Sequence, residues 1–497
     1  MEPGRFSRFP AEVDLIGFDH LASDKIATIS FIVHDEDELA RLTLLAKEPG
    51  SMTIGGEIEL DPVATEDLRK QIEYKYEVAA GEFALASTSA YPTIANYPCY
   101  KNLQGSFQWM DDMVVKAQTI SGLSVTKLDI GDSWYKTDTL TTTTGYDMFV
   151  LRVTGTQGNV ATKAPFFIMS GIHAREMTPP ELTSRWVQSL IEGYNNDADI
   201  TAMLDSTEIH LLLQSNPDGR YVAETNQAAM RRKSMKPNTK KCATNSVGVD
   251  LNRNFPYQWG LTSGSSADAC AETFRGTAAS SEPEVQAIIN YTKTIFPATQ
   301  RKTDPQAPYN EATTMGVFVD VHSYSNLVLS PCIGYTAAGT TVDYAFKELG
   351  AAALTFELGT AFYQDCLTFE NTIWPLNRQP LMLLAKISRA PYTMGQAPDV
   401  TALSASVSAG QVTITAAASD SAWSKSQVST SQQAVAEIRA WVDAHPYSSN
   451  PGTGTVLTNG SVIVDISGLA LGRHTVYVQA TDSAGKRGPV TAAYFTK

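Results

Sequence analysis

Apolar and polar positions follow three different rhythms along the chain, and each predicts a different kind of domain. Over residues 1–88, alternating runs trade places with runs at helical spacing. Lys25 to Val33 alternates through Ile26, Ile29, Phe31 and Val33, as a half-buried strand does. Asp35 to Lys47 carries Leu39, Leu42, Leu44 and Leu45 behind an acidic start that suits a helix dipole. Glu57 to Leu60 and Tyr74 to Val78 read as strands, with a helix at Ala64 to Ile72 between them. The prediction is a small α/β unit, followed by a linker of small and polar residues from Ala79 to Tyr97.

Residues 93–395 have a longer beat. Leu103 to Ala117 predicts an amphipathic helix, and Val125 to Ile130 and Met148 to Val153 predict strands. Phe166 to Ser170 is a continuous apolar run that stops at Gly171, the signal of a central strand covered on both faces. Pro179 and Pro180 then open a helix with Leu182, Trp186 and Leu190 on one side. Glu208 to Leu213 is a further strand, and Asn216-Pro217-Asp218-Gly219 reads as a turn. Alternating strands and helices as far as Tyr392 predict a doubly wound, mixed and mostly parallel sheet. Past Gln396, in residues 398–497, Ser, Thr, Ala, Val and Gly dominate. Five short strands (Thr401 to Val407, Gln411 to Ala417, Ser461 to Ile466, His474 to Thr481, Val490 to Phe495) predict an immunoglobulin-like β-sandwich. Gln432 to Val442 has helical spacing and reads as an insertion in it.

The polar residues at the ends of the buried runs carry the chemistry. His173 and Glu176 follow the Phe166 run at the edge where open α/β sheets place their ligand sites. His322 ends a second buried run, Val317 to Val321. Two imidazoles and a carboxylate form the protein shell of a catalytic zinc with one open position. Glu357 sits inside Leu354-Thr355-Phe356-Glu357-Leu358, where an unpaired carboxylate is costly, and is the candidate general base.

Composition narrows the field. Lys and Arg total 38 against 52 Asp and Glu, a net charge of −14, which argues against nucleic acid or an anionic membrane as partner. No apolar stretch reaches the roughly 20 residues of a membrane span, and the first residues lack the apolar core of a signal peptide. Five cysteines (Cys99, Cys242, Cys270, Cys332, Cys366) leave at least one thiol unpaired within the chain. Cys242 and Cys270 bracket a Ser, Gly and Ala-rich segment, a loop that a disulfide would staple in an oxidising compartment. The expected location is secreted or periplasmic.

Five motifs in order, His173-Ala-Arg-Glu176, Met230-Arg-Arg-Lys-Ser234, Gly248-Val-Asp-Leu-Asn252-Arg253-Asn254, His322-Ser-Tyr-Ser325 and Thr355-Phe-Glu357-Leu358, make residues 93–395 resemble a zinc metallocarboxypeptidase of the carboxypeptidase A/B type. The resemblance implies zinc held by His173, Glu176 and His322, with Glu357 as base and Arg232 stabilising the oxyanion. It implies that Asn252 and Arg253 dock the terminal carboxylate, that Asp250 orients His173, and that Cys242 pairs with Cys270. Counting back from Glu357, Tyr335 takes the place of the family's mobile tyrosine and Val342 the base of the side-chain pocket, favouring apolar or aromatic terminal residues. One departure stands out: only Ser330 to Gly334 precede Tyr335 where family members carry a much longer segment, which is expected to thin the pocket wall.

The expected function is hydrolysis of the last peptide bond at peptide or protein C-termini. The N-terminal unit resembles a pro-domain or accessory domain. The sandwich carries no catalytic constellation, so its expected role is spacing, or contact with a cell surface or polymer. The alternatives are a carboxypeptidase of cell-wall peptides and a catalytically impaired protein for peptide binding or adhesion.

Overall fold

The computed structural model describes residues 89–497 apart from 140–141, 238–239, 262–263, 302–312, 332–336 and 421–432, together with the backbone of 14–22 and 25–32. In the N-terminal unit, strands Asp14–Ala22 (β1) and Lys25–Ile32 (β2) pair antiparallel. The second coincides with the predicted strand; the other elements expected in residues 1–88 lie outside the described residues. The predicted linker is in part ordered: Thr93–Ile94 (β3) and Tyr97–Lys101 (β4) form a two-stranded ribbon.

The middle of the chain forms a seven-stranded mixed sheet. Its strands are Leu123–Asp132 (β5), Asp147–Gly155 (β6), Ala164–Ser170 (β7), Thr207–Leu212 (β8), Val317–His322 (β9), Leu327–Leu329 (β10) and Ala352–Glu357 (β11). They lie in the order β10-β11-β9-β7-β8-β6-β5, and the four strands β11, β9, β7 and β8 are parallel. All seven residues of β7 are buried. Phe166 and Ile168 face one core with Leu182, Trp186 and Leu190 of the helix Thr178–Gly193. Phe167 and Met169 face the other core with Val285 and Ile288 of the helix Pro283–Ile295. That double covering is why β7 reads as a continuous apolar run rather than an alternating one.

Asn216-Pro217-Asp218-Gly219 is not a free turn but the entry to a helix, Pro217–Thr225. The Asn216 side chain accepts the Gly219 N–H at 3.1 Å, and Pro217 occupies a first-turn position where its missing N–H costs nothing. The turn residues were the helix cap.

The C-terminal region is a sandwich of two antiparallel sheets. One contains Asp399–Ser408 (β12), Gln411–Ser419 (β13) and Ser461–Asp465 (β16). The other contains Val435–Val442 (β14), Thr455–Val456 (β15), Arg473–Asp482 (β17) and Thr491–Thr496 (β18). Strand β14 corrects the expected helical insertion at Gln432 to Val442. Ile438, Ala440 and Val442 point into the sandwich core, the two-residue period of a strand. Trp441, on the opposite face, is apolar too because it joins a second cluster with Ala198 and Ala202 of the helix Ala198–Ser206. Apolar residues on both faces blurred the alternation into an apparent helical pattern.

The same junction carries polar links: Lys386 Nζ to the Thr491 hydroxyl at 3.0 Å and the Tyr494 hydroxyl to Thr201 at 2.9 Å. Among the described residues, no helix is long and apolar enough to cross a membrane.

Candidate active site

The site forms at the C-terminal edge of the parallel strands. Chain reversal after β7 needs a residue in the left-handed region, and Gly171, at φ 69°, supplies it. His173 and Glu176 follow in the loop, while His322 is the last residue of β9. Parallel pairing of β9 with β11 sets Glu357 directly beside His322. The strands thus bring together residues 149 positions apart in sequence.

His173, Glu176 and His322 are buried, and one donor atom from each lies within 4.8 Å of the others. Both imidazoles turn Nδ1 inward, 3.1 Å apart, with Glu176 Oε1 at 2.7 Å from His173 Nδ1 and Glu176 Oε2 at 3.1 Å from His322 Nδ1. The Ser323 N–H also donates to Glu176 Oε2. Each outer nitrogen meets a buried carboxylate: His173 Nε2 lies 3.2 Å from Asp250 Oδ1, and His322 Nε2 lies 2.9 Å from Asp320 Oδ2. Converging lone-pair nitrogens with a carboxylate between them are what a divalent transition metal binds, so the donor set fits the expected ion.

The electrostatics agree. Burial works to raise the Glu176 carboxyl, but the His173 and His322 imidazoles outweigh it and hold it well below the usual carboxylate range. Burial opposes charge on His322 as well, yet Asp320 and Glu176 push its affinity for a proton well above the ordinary value. Asp250 is held well below the carboxylate range against its burial, chiefly by Arg232 and then His173. The Arg232 guanidinium donates from Nε and Nη2 to Asp250 Oδ2 at 3.0 and 2.8 Å, with Nη1 3.3 Å from His173 Nδ1. Glu357 is different: burial, only partly countered by His322, pushes it up to about 7.

A cavity of about 370 Å³ opens onto this cluster. Of the residues anticipated from sequence, His173, Glu176, Arg232, Asn252, Arg253, His322, Val342 and Glu357 line it. Asn252 and Arg253 belong to a tight turn, Leu251–Arg253, capped by Asp250, whose side chain accepts the Asn252 N–H. Arg253 is fixed by hydrogen bonds from Nε to the Gly264 carbonyl and from Nη1 to the Asn252 carbonyl. Tyr335 and Cys332 lie outside the described residues. Cys242 and Cys270 form a disulfide with Cα atoms 5.3 Å apart. A second one, Cys99–Cys366, spans 267 positions and joins β4 to the chain beyond β11; no spacing in the sequence announces it.

Sequence reasoning passed over several cavity residues. Asp343 and Thr355 are in the wall, and Phe362 stands at the rim with Tyr324, ring centres 4.9 Å apart. Asp320 was also missed, although a signal existed: it lies two positions before His322 in one strand, hence on the same face.

A family profile described as zinc carboxypeptidase matches residues 135–334. Carboxypeptidase A1 of Sus scrofa is 29% identical over 269 residues, 54% of this chain and 55% of that protein. Metallocarboxypeptidase A of Trichophyton tonsurans is 31% identical over 278 residues, 55% of this chain and 58% of that protein. The chain therefore spans a little over half the length of these relatives. A solved carboxypeptidase A from Helicoverpa armigera superposes with a TM-score of 0.44 at 19% identity, covering 72% of this chain and 87% of that one. Residues 135–334, which match the zinc carboxypeptidase profile, contain the whole two-histidine, one-glutamate cluster.

Proposed function

We propose that the middle domain is a zinc-dependent carboxypeptidase that removes single residues from free peptide C-termini. The observation that carries this is the convergence of His173, Glu176 and His322 beside Glu357 and Arg232 in one open cavity. Zinc held by those three side chains would act as a Lewis acid on the scissile carbonyl and on the attacking water.

The chain's own residues do the rest. Glu357 takes the proton from the attacking water and hands it to the leaving amine. Its raised affinity for a proton suits the second half of that task, and a nearby dication would draw it down for the first. Arg232 stabilises the developing oxyanion, the kind of contact typically worth about 2.7–4 kcal/mol. Asn252 and Arg253 hold the substrate's terminal carboxylate, Arg253 through its planar fork. Asp250 keeps the His173 ring in place and at the same time anchors Arg232. Tyr335, by its place in the sequence, would close over bound substrate.

Val342, buried in the cavity wall, favours an apolar or aromatic terminal side chain through the apolar surface it would cover. Asp343 lines the same cavity, so a basic terminal residue is the reading to test against it. The two disulfides support a secreted or periplasmic location, where such bonds persist.

Blocked dipeptides ending in Phe, Lys or amidated Phe test the reading. Cleavage of the free Phe substrate, weaker cleavage of Lys and none of the amide is the expected order. Equal cleavage of the amide would exclude an exopeptidase.

A further inference from the structure

Asp320 is fully buried at the end of β9, and the proposed mechanism gives it no task. Parallel pairing aligns Asp320 with Thr355 and His322 with Glu357, so all four share one face of the sheet. Earlier along that face the residues are apolar, with Phe318 packed on Phe167 at 5.0 Å. The carboxylate therefore stands at the point where the apolar core turns into the site.

Its contacts are few and specific. Oδ2 lies 2.9 Å from His322 Nε2 and accepts the Thr341 hydroxyl; Oδ1 has no hydrogen-bond partner among the described residues. Asn252 Nδ2 also approaches His322 Nε2, at 3.3 Å. Asn252 Oδ1 already accepts the Thr341 N–H, so the amide presents a donor to that nitrogen. A ring nitrogen that carries a proton can give it to the carboxylate but not to the amide. The shorter contact and the carboxylate acceptor both assign the Nε2 proton to Asp320, which leaves Nδ1 as the ring nitrogen turned toward Glu176 and His173.

Charge balance leads the same way. Arg232 pairs with Asp250, while Glu176 and Asp320 form no ion pair with Lys or Arg among the described residues and flank His322 from either side. Arg253 and Glu357 line the cavity instead. An uncompensated buried carboxylate is strongly disfavoured, and two of them flanking one imidazole match a divalent cation.

We propose that Asp320 is the positioning residue for His322: it fixes the ring with Nδ1 toward the metal. The arrangement mirrors Asp250 behind His173, so each histidine is backed by its own carboxylate. Thr341, which holds Asp320 by its hydroxyl and Asn252 by its N–H, ties this support to the turn that docks the substrate. The inference rests on the metal-site reading above.

The test is calorimetric titration of zinc alone into the metal-free full-length chain, with Co²⁺ absorption spectra alongside. Wild type should bind one equivalent. Asp320→Asn should weaken binding by about 10-fold and Asp320→Ala by up to about 100-fold. The Co²⁺ bands should shift, while thermal melting of the metal-free Asn variant stays equal to wild type or rises. A merely structural aspartate would give the reverse, a lower melting temperature with unchanged affinity and spectrum, and that result overturns the proposal. If wild type itself takes up no zinc, the metal-site reading fails instead. Should Asp320→Asn not fold, Thr341→Val decides: it keeps the carboxylate and loses one contact, so zinc affinity falls by about 2- to 5-fold, and an unchanged affinity refutes the role.

Discussion

The mixed sheet and the C-terminal sandwich solve the same packing problem with different interiors. The sandwich core is built mainly from apolar side chains, among them Val412, Ile414, Ala440, Val476, Val478 and Phe495. The mixed sheet has apolar cores on both faces, yet at one edge it buries His173, Glu176, Asp250, Asp320 and His322 together. Buried charge is expensive and does nothing for packing, so a region that concentrates it at one edge is organised around something other than stability. Where the sandwich buries a histidine, both ring nitrogens are satisfied by backbone groups. His445 Nε2 lies 3.2 Å from the Ala202 carbonyl and Nδ1 accepts the Tyr447 N–H at 3.1 Å, which closes the ring to any ion.

This contrast can be attacked at several points, beginning with the largest effect. Glu357→Gln should lower kcat by at least about 1,000-fold while leaving zinc content at one per chain, because the ligands are untouched. Metal analysis beside steady-state kinetics checks it, and turnover near wild type would remove Glu357 from the reaction. Phe167→Ala, in the core behind the site, should cost about 3–5 kcal/mol of stability in the mixed sheet. Hydrogen exchange should then report loosening of β7 and β9 while β13 and β17 of the sandwich keep their protection.

Arg253→Ala should raise KM for free C-termini by about 10- to 100-fold with zinc binding unchanged, the loss expected for a charge-assisted hydrogen bond. An unaltered KM would put the carboxylate dock elsewhere. The smallest effect concerns the junction. Burial lowers His445 to about 4, with Arg389 and Lys163 also disfavouring its charge, although the Ala202 carbonyl works the other way. The folded chain therefore holds the neutral ring while the unfolded chain binds a proton, so stability is full above about pH 6.5 and is lost as pH falls towards 4. Melting temperatures measured across that window should fall less for His445→Gln than for wild type. Parallel declines would show that His445 does not sense pH.

Much of this could be read along the chain. The helix predicted over Leu103–Ala117 begins and ends at those residues, since one clean amphipathic stripe and an Asn102 cap leave little ambiguity. The strand of Phe166 was legible because burial on both faces writes an unbroken apolar run. Strand β14 was not, because its outer face is buried by a helix more than 200 positions away, near Ala198 and Ala202, and local period alone cannot reveal a distant partner. The Cys99–Cys366 bond was silent for the same reason.

By itself, then, the order of residues determined which side chains end the buried strands: His173 and Glu176 after β7, His322 on β9, Glu357 on β11. Tertiary structure alone decided which nitrogen each imidazole turns inward and how closely its carboxylate approaches. Those choices depend on strand register and on side-chain approaches of about 3 Å, distances that no spacing along a flexible polymer encodes.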